Sequence, residues 1–207
     1  FWMKPLGLLY LSNFLKREKH QVYLLDVPNR FDPYFKKVKS DSWGRGKIPA
    51  QKVSKPEILK DIPGKFKRYG IPRKVIEKRI RDFKPEVVML TCSMTYWYLG
   101  LIEIKEIVES LGEKVVLLLG GIYASLLPGH AERLGFDRIY SKKEYYIEEI
   151  GIKMPGHFSC FPPPDYSHYH RLTYACLATS VGCPFGCPYC VSSFFAASNK
   201  IKKKGRL

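Results

Sequence analysis

Leu8, Leu9, Leu11, Phe14 and Leu15 recur on a helical period, so residues 6–16 predict a helix. The β-prone run Gln21-Val-Tyr-Leu-Leu-Asp26 behind it predicts a strand. Val75, Ile76, Ile80 and Phe83 predict a second helix; Pro85 breaks it, and the apolar run 87–91 has the length of a buried strand. Leu101, Ile104, Ile107, Val108 and Leu111 then share one helical face that Gly112 ends, and residues 115–119 read as the next strand. Gly120-Gly121 turns the chain into a helix predicted over 125–134, and a short strand follows at 138–140. Helices alternating with strands that are apolar throughout imply an α/β fold with a parallel sheet covered on both faces, of flavodoxin or Rossmann type. Ligands of such sheets bind beyond the carboxyl ends of strands, which directs attention to the loops after Asp26, Thr91 and Gly120.

Two stretches interrupt the alternation. Residues 29–73 form an insertion rich in Lys, Gly and Pro, too basic to be core. Residues 151–170 contain Pro155-Gly156 and Pro162-Pro163-Pro164, a composition that predicts an extended interdomain linker. The organisation expected is therefore an α/β domain over 1–150, a linker over 151–170, and the start of a second domain over 171–207. In that last part residues 172–180 are strand-like, and the tail at 200–204 is basic and expected to fray.

A chain of 207 residues, 45% hydrophobic and 14% aromatic, has the composition of a folded domain with a real core. No apolar run has the length of a membrane span, and no secretory signal opens the chain. Because position 1 is Phe and not Met, the chain is expected to be a fragment. The net charge is +16, and 17 of the 35 Lys and Arg fall within residues 35–84, against only Asp41, Glu57, Asp61, Glu77 and Asp82. A solvated basic face explains that concentration, and it is preferred to a surface for RNA or another phosphorylated partner.

Cysteine placement narrows the chemistry. Of six cysteines, three crowd into Cys183-Pro-Phe-Gly-Cys187-Pro-Tyr-Cys190, whereas Cys92, Cys160 and Cys176 are scattered. That is metal spacing, and it points to a reducing compartment such as the cytoplasm. Cys92 and Cys176 read as small buried hydrophobes within apolar runs. Three thiolates on a loop that Gly182 and Gly186 allow to curl suit an iron-sulfur cluster, leaving one iron with an open position for a ligand. The alternative is structural zinc with Cys176, His168 or His170 as fourth ligand, in a basic nucleic-acid-binding module; against it stands the lack of a second cysteine pair. An inactive fragment is the third reading.

Taken with the strand-like run before it, Ser180-Val-Gly-Cys183-Pro-Phe-Gly-Cys187-Pro-Tyr-Cys190 resembles the cluster loop of radical S-adenosylmethionine enzymes, which enter a partial TIM barrel at this point. The resemblance implies that Cys183, Cys187 and Cys190 bind a 4Fe-4S cluster and that Tyr189 packs near the adenine of S-adenosylmethionine. It also implies reductive cleavage to a 5'-deoxyadenosyl radical, an electron donor such as flavodoxin or ferredoxin, and a small-molecule or other substrate chosen by later barrel regions. The front of the chain is similar to the cobalamin-binding domain that precedes the barrel in one branch of that family. The stretches that carry the similarity are Pro5-Leu-Gly-Leu-Leu-Tyr-Leu11, Ser93-Met-Thr-Tyr-Trp-Tyr98 and Gly120-Gly-Ile-Tyr-Ala-Ser125. By that similarity Ser93, Thr95, Gly120, Gly121 and Tyr123 are candidate cobalamin contacts, the double glycine allowing close backbone approach.

Two features depart from the family pattern. Pro28 stands where a lower histidine ligand to cobalt would be, so histidine ligation is unsupported and a cobalamin-type fold without cofactor is the alternative. Only 17 residues follow Cys190, so by the resemblance most of the barrel is expected to lie outside this chain. Among other residues, His130 reads as a surface or half-buried helix histidine in preference to one facing a corrin, His157, His168 and His170 belong to the linker, and Tyr96, Trp97 and Tyr98 suit either a flat wall for a corrin or loop packing.

Overall fold

The structure, a computed structural model, describes residues 4–112, 114–141, 146–155, 160–179, 183, 185 and 187–192. They divide into two compact units, Phe1–Cys176 and Leu177–Leu207.

The first unit is built on a parallel sheet of three strands, β3 (Val87–Thr91), β4 (Val116–Gly120) and β5 (Arg138–Tyr140), in that order. β4 is central, with Leu117, Leu118 and Leu119 buried, as its uninterrupted apolar run requires. Its register pairs Val87 with Val116 and Thr91 with Gly120 on one side, and Leu118 with Arg138 on the other. The Asp137 carboxylate accepts from the Leu117 N–H at 2.7 Å, while the Asp137 N–H donates to the Leu117 carbonyl at 3.1 Å, which pins the start of β5 beside β4. Helix α2 (Arg73–Phe83) buries Ile76 and Ile80, and α3 (Tyr98–Ser110) buries Leu101, Ile104, Ile107 and Val108, all in one core with Leu117, Leu119 and Tyr123. Each such side chain contributes about 2 kcal/mol by leaving water. Lys84 ends α2 in the left-handed region at φ 52°, and Pro85 forbids its continuation.

Helix α1 (Leu6–Arg17) forms where the period places it and buries Leu9, Ser12 and Leu15. The α/β class and the strands at 87–91, 116–120 and 138–140 likewise agree with the pattern. Three expected elements differ. Residues 21–26 make no ladder, although Leu25 is half-buried against the core: no strand lies beside them among the described residues. Residues 172–179 are also not a strand, because Tyr166 takes the place of a neighbour, its hydroxyl accepting from the Cys176 N–H and donating to the Cys176 carbonyl, both at 2.6 Å. The helix predicted over 125–134 is two helices, α4 (Ile122–Leu126) and α5 (Pro128–Glu132), since Pro128 has no N–H and holds Leu127 out of helical geometry.

The insertion is not featureless either. It carries an antiparallel hairpin of β1 (Ala50–Lys52) and β2 (Lys67–Tyr69), and it buries Arg30 and Asp32. Asp32 is tied to α2 by a bidentate pair with Arg79, both contacts 2.6 Å. Sequence gave no sign of the small hairpin of β6 (Tyr146–Ile147) and β7 (Ile152–Lys153), which spans the boundary expected at residue 150. The segment read as a linker is fastened to α1 over 161–168. Asn13 donates to the Pro163 carbonyl at 2.7 Å, Lys16 pairs with Asp165 at 2.6 Å, the Asp165 N–H donates to the Leu9 carbonyl, and Phe14 meets Phe161. No helix among the described residues is long and apolar enough to cross a membrane.

Candidate functional site

At the carboxyl end of the sheet, the loops after β3 and β4 come together. The Tyr123 N–H donates to the Cys92 carbonyl at 3.1 Å, and the turn Thr95–Trp97 lies against the helix that follows Gly121. Gly121 has φ 86° and ψ −163°, and a Cβ there would stand 2.2 Å from the Thr91 hydroxyl. The second glycine is thus required by an internal approach, that of the β3 terminus. Gly120 is under no such constraint, since a Cβ would make only ordinary contact with Tyr140. Ser93 and Gly121 are exposed, as are Tyr96 and Trp97, whose rings meet edge to face 5.8 Å apart.

Tyr123 is 0% exposed, so its ring packs in the core and does not face a ligand. Its hydroxyl lies 2.5 Å from Nδ1 of His130, and the His130 ring is also held edge to face by Tyr98. His130 is therefore a fixed, half-buried helix imidazole, in agreement with its reading as a helix histidine. Burial raises the Tyr123 hydroxyl and, nearby, the Cys92 thiol, whose sulfur donates to the Met94 carbonyl at 2.9 Å. Cys92 is buried in the core, which agrees with its reading as a small hydrophobe; Cys176 is only half-buried.

A second polar cluster lies after Asp26. Lys4 sits over the Tyr169 ring, 3.8 Å from its centre, donates to Asn29 at 3.2 Å and stands 3.7 Å from Asp26, which also accepts from the Tyr169 hydroxyl at 2.8 Å. Burial lowers the Lys4 ammonium, with Asp26 pulling the other way, and burial raises the Asp26 carboxyl against Lys4 and Tyr169. A cavity of about 190 Å³ adjoins this cluster, lined among others by Asp26, Asn29, Asp32, Arg79, His168 and His170. Only Asp26, at a strand-like end, carried a sequence signal; Tyr169 is 143 positions away and had none. His168 is engaged internally: its Nε2 lies 2.6 Å from the Ser12 hydroxyl and 3.3 Å from Asp165.

In the second unit Cys183, Cys187 and Cys190 are each half-buried, and the Cys190 N–H donates to the Cys187 carbonyl at 3.1 Å, closing a turn over the last two. Tyr189 is 90% exposed on that turn. Among the described residues, no three His, Cys, Asp or Glu side chains are drawn together as metal ligands, the three thiols included. Sites of this kind form together with their metal. The fit to an iron-sulfur cluster therefore rests on the donor set: three cysteine thiols, two of them on one tight turn, with no competing carboxylate or imidazole in the motif. Gly182 and Gly186, His157 and the basic tail at 200–204 lie outside the described residues. No family model matches the chain, and neither a curated protein nor a solved structure matches it.

Proposed function

We propose that this chain is the N-terminal part of a radical S-adenosylmethionine iron-sulfur enzyme, joining a cobalamin-binding-type α/β domain to the cluster loop. The observation that carries the reading is the thiol triplet Cys183, Cys187 and Cys190, which begins seven residues after the first unit ends at Cys176. The three cysteines would hold the cluster, and the exposed Tyr189 ring would lie against the adenine. When bound, a 4Fe-4S cluster supplies the electron that cleaves S-adenosylmethionine into methionine and a 5'-deoxyadenosyl radical.

The front unit is proposed to offer cobalamin the carboxyl end of its sheet. Ser93, Thr95 and Gly121 supply the polar rim there and Tyr96 and Trp97 the flat apolar surface, while Tyr123 acts through His130, which it orients. Pro28 is exposed and offers no ligand to cobalt.

Anaerobic reconstitution with iron and sulfide tests the proposal. The chain is expected to turn brown and to bind iron and sulfide in the ratio of a 4Fe-4S cluster, and Cys183→Ala, Cys187→Ala or Cys190→Ala each to abolish incorporation while Cys92→Ala does not. A colourless protein holding one equivalent of zinc, or equal iron loss in the Cys92 variant, would sink it.

A further inference from the structure

We infer that the β1/β2 hairpin is a binding surface for single-stranded nucleic acid. Alternate residues of a strand point to opposite faces, and residues paired across strands share a face. The register Ala50 to Tyr69, Gln51 to Arg68 and Lys52 to Lys67 therefore splits the ribbon in two. One face carries Arg68, whose Nε donates to both oxygens of Glu103 at 2.8 Å and whose guanidinium also reaches the Ile71 carbonyl, so this face is anchored to α3. The other face carries Lys52, Lys67 and Tyr69, all exposed.

That outer face is built against its own stability. Lys52 and Lys67 are direct cross-strand partners, an arrangement of like charges that weakens a ribbon. Among the described residues neither has a carboxylate partner, whereas Lys60 in the same loop is paired with Glu57 and Arg68 with Glu103. Beside the ribbon opens a cleft of about 500 Å³ lined by Lys52, Val53, Ser54, Lys55, Gly64, Lys65 and Phe66, again with no acidic residue. An exposed ring accompanies the lysines: Tyr69, on the same face of the ribbon as Lys52 and Lys67.

A row of cations without counter-charges calls for an extended anion. A ring left in water beside those cations, Tyr69, distinguishes which one. Bases stack on such rings when the strand is single, and this sequence-tolerant stacking is how single-stranded nucleic acid is held along a cationic groove. An acidic protein surface would satisfy the lysines and leave the ring without that use; a duplex keeps its bases stacked on one another. RNA and DNA share the recognising chemistry, and the assay separates them.

The test is fluorescence anisotropy with the 207-residue chain and labelled single-stranded RNA and DNA of mixed sequence, the matching duplex, and poly-glutamate. At low salt the single strands are expected to bind with a Kd of about 10 µM or tighter, with log K falling against log salt at a slope of about −2, three phosphates being neutralised. K52E/K67E is expected to weaken binding at least about tenfold and flatten that slope. Y69A is expected to weaken it about tenfold with the slope unchanged, the signature of lost stacking. All three substitutions are at exposed positions, so circular dichroism should match the parent. Absence of binding at low salt, equal affinity for poly-glutamate or duplex, or an unaltered K52E/K67E variant overturns the assignment; a preference between RNA and DNA names the strand.

Discussion

Replacing Gly121 by alanine asks whether that glycine is a demand of the fold. At φ 86° and ψ −163° the backbone lies where only glycine is at ease, and an L residue there costs about 1–3 kcal/mol. The new Cβ also stands 2.2 Å from the Thr91 hydroxyl and 3.3 Å from its Cβ. Thr91 is exposed and can rotate away at a cost of about 1 kcal/mol. Together the two effects predict a loss of about 3 kcal/mol, which for a domain of this size lowers the melting temperature by about 6–12 °C. Gly120→Ala is the internal control, because its Cβ would meet nothing nearer than the Tyr140 Cβ at 3.6 Å; it should stay within about 0.5 kcal/mol of the parent. Adding Thr91→Ala to the Gly121 variant should recover only the collision, about 1 kcal/mol. Urea unfolding followed by circular dichroism measures all three. If Gly121→Ala unfolds like the parent, or Gly120→Ala is equally damaging, the strain argument fails.

Removing Arg79 leaves Asp32, 7% exposed, as a buried carboxylate without its bidentate partner. Arg79→Ala should therefore cost about 3 kcal/mol in urea unfolding, whereas a loss under about 1 kcal/mol would mean that water reaches Asp32 freely. Acid should loosen the contact between α1 and residues 161–168. Desolvation acts to raise Asp165, but hydrogen bonds from Lys16 and Ser167 outweigh it and hold the carboxyl well below its ordinary range. Burial, then Lys16, lowers His168 despite Asp165. Both folded-state values lie below the unfolded ones, so each group's stability is present above its ordinary pKa and is lost as pH falls, through the histidine range first and the carboxylate range next. Asp165→Asn with His168→Gln should flatten that dependence, and an unchanged slope would show that other groups carry it.

Where a residue's fate depends on its neighbours in sequence, the pattern was sufficient. The apolar faces of α2 and α3 and the unbroken run of β4 could be placed because burial of one stripe, or of a whole strand, leaves a periodic trace. Residues 21–26 and 172–179 carry the composition of strands, yet a strand exists only with a partner, and composition does not reveal who pairs. The hairpin of the insertion was hidden by its lysines, whose charge reads as loop even where the backbone is paired. In the candidate site, Ser93, Thr95 and the double glycine could be located from strand ends. That Tyr123 turns inward to His130 depends on the short helix after Gly121, which only the folded chain reveals. The cysteine triplet stands out in the sequence by residue type and spacing; the structure adds to it the turn at Cys187 and Cys190, and its role as a ligand set is a proposal.

The fastening of α1 to residues 161–168 joins positions about 150 residues apart, as in the bonds from Lys16 to Asp165 and from Asn13 to Pro163. Closing so long a loop costs roughly 2 kcal/mol more chain entropy than closing one a tenth its length. Such a seam forms late, after the locally connected strands and helices between its halves have already shortened the path. It is also a cooperative element that can open while the sheet stays intact. In a hydrogen-exchange experiment the amide of Asp165, bonded to the Leu9 carbonyl, would then exchange well before those of Leu118 and Leu119 in the central strand.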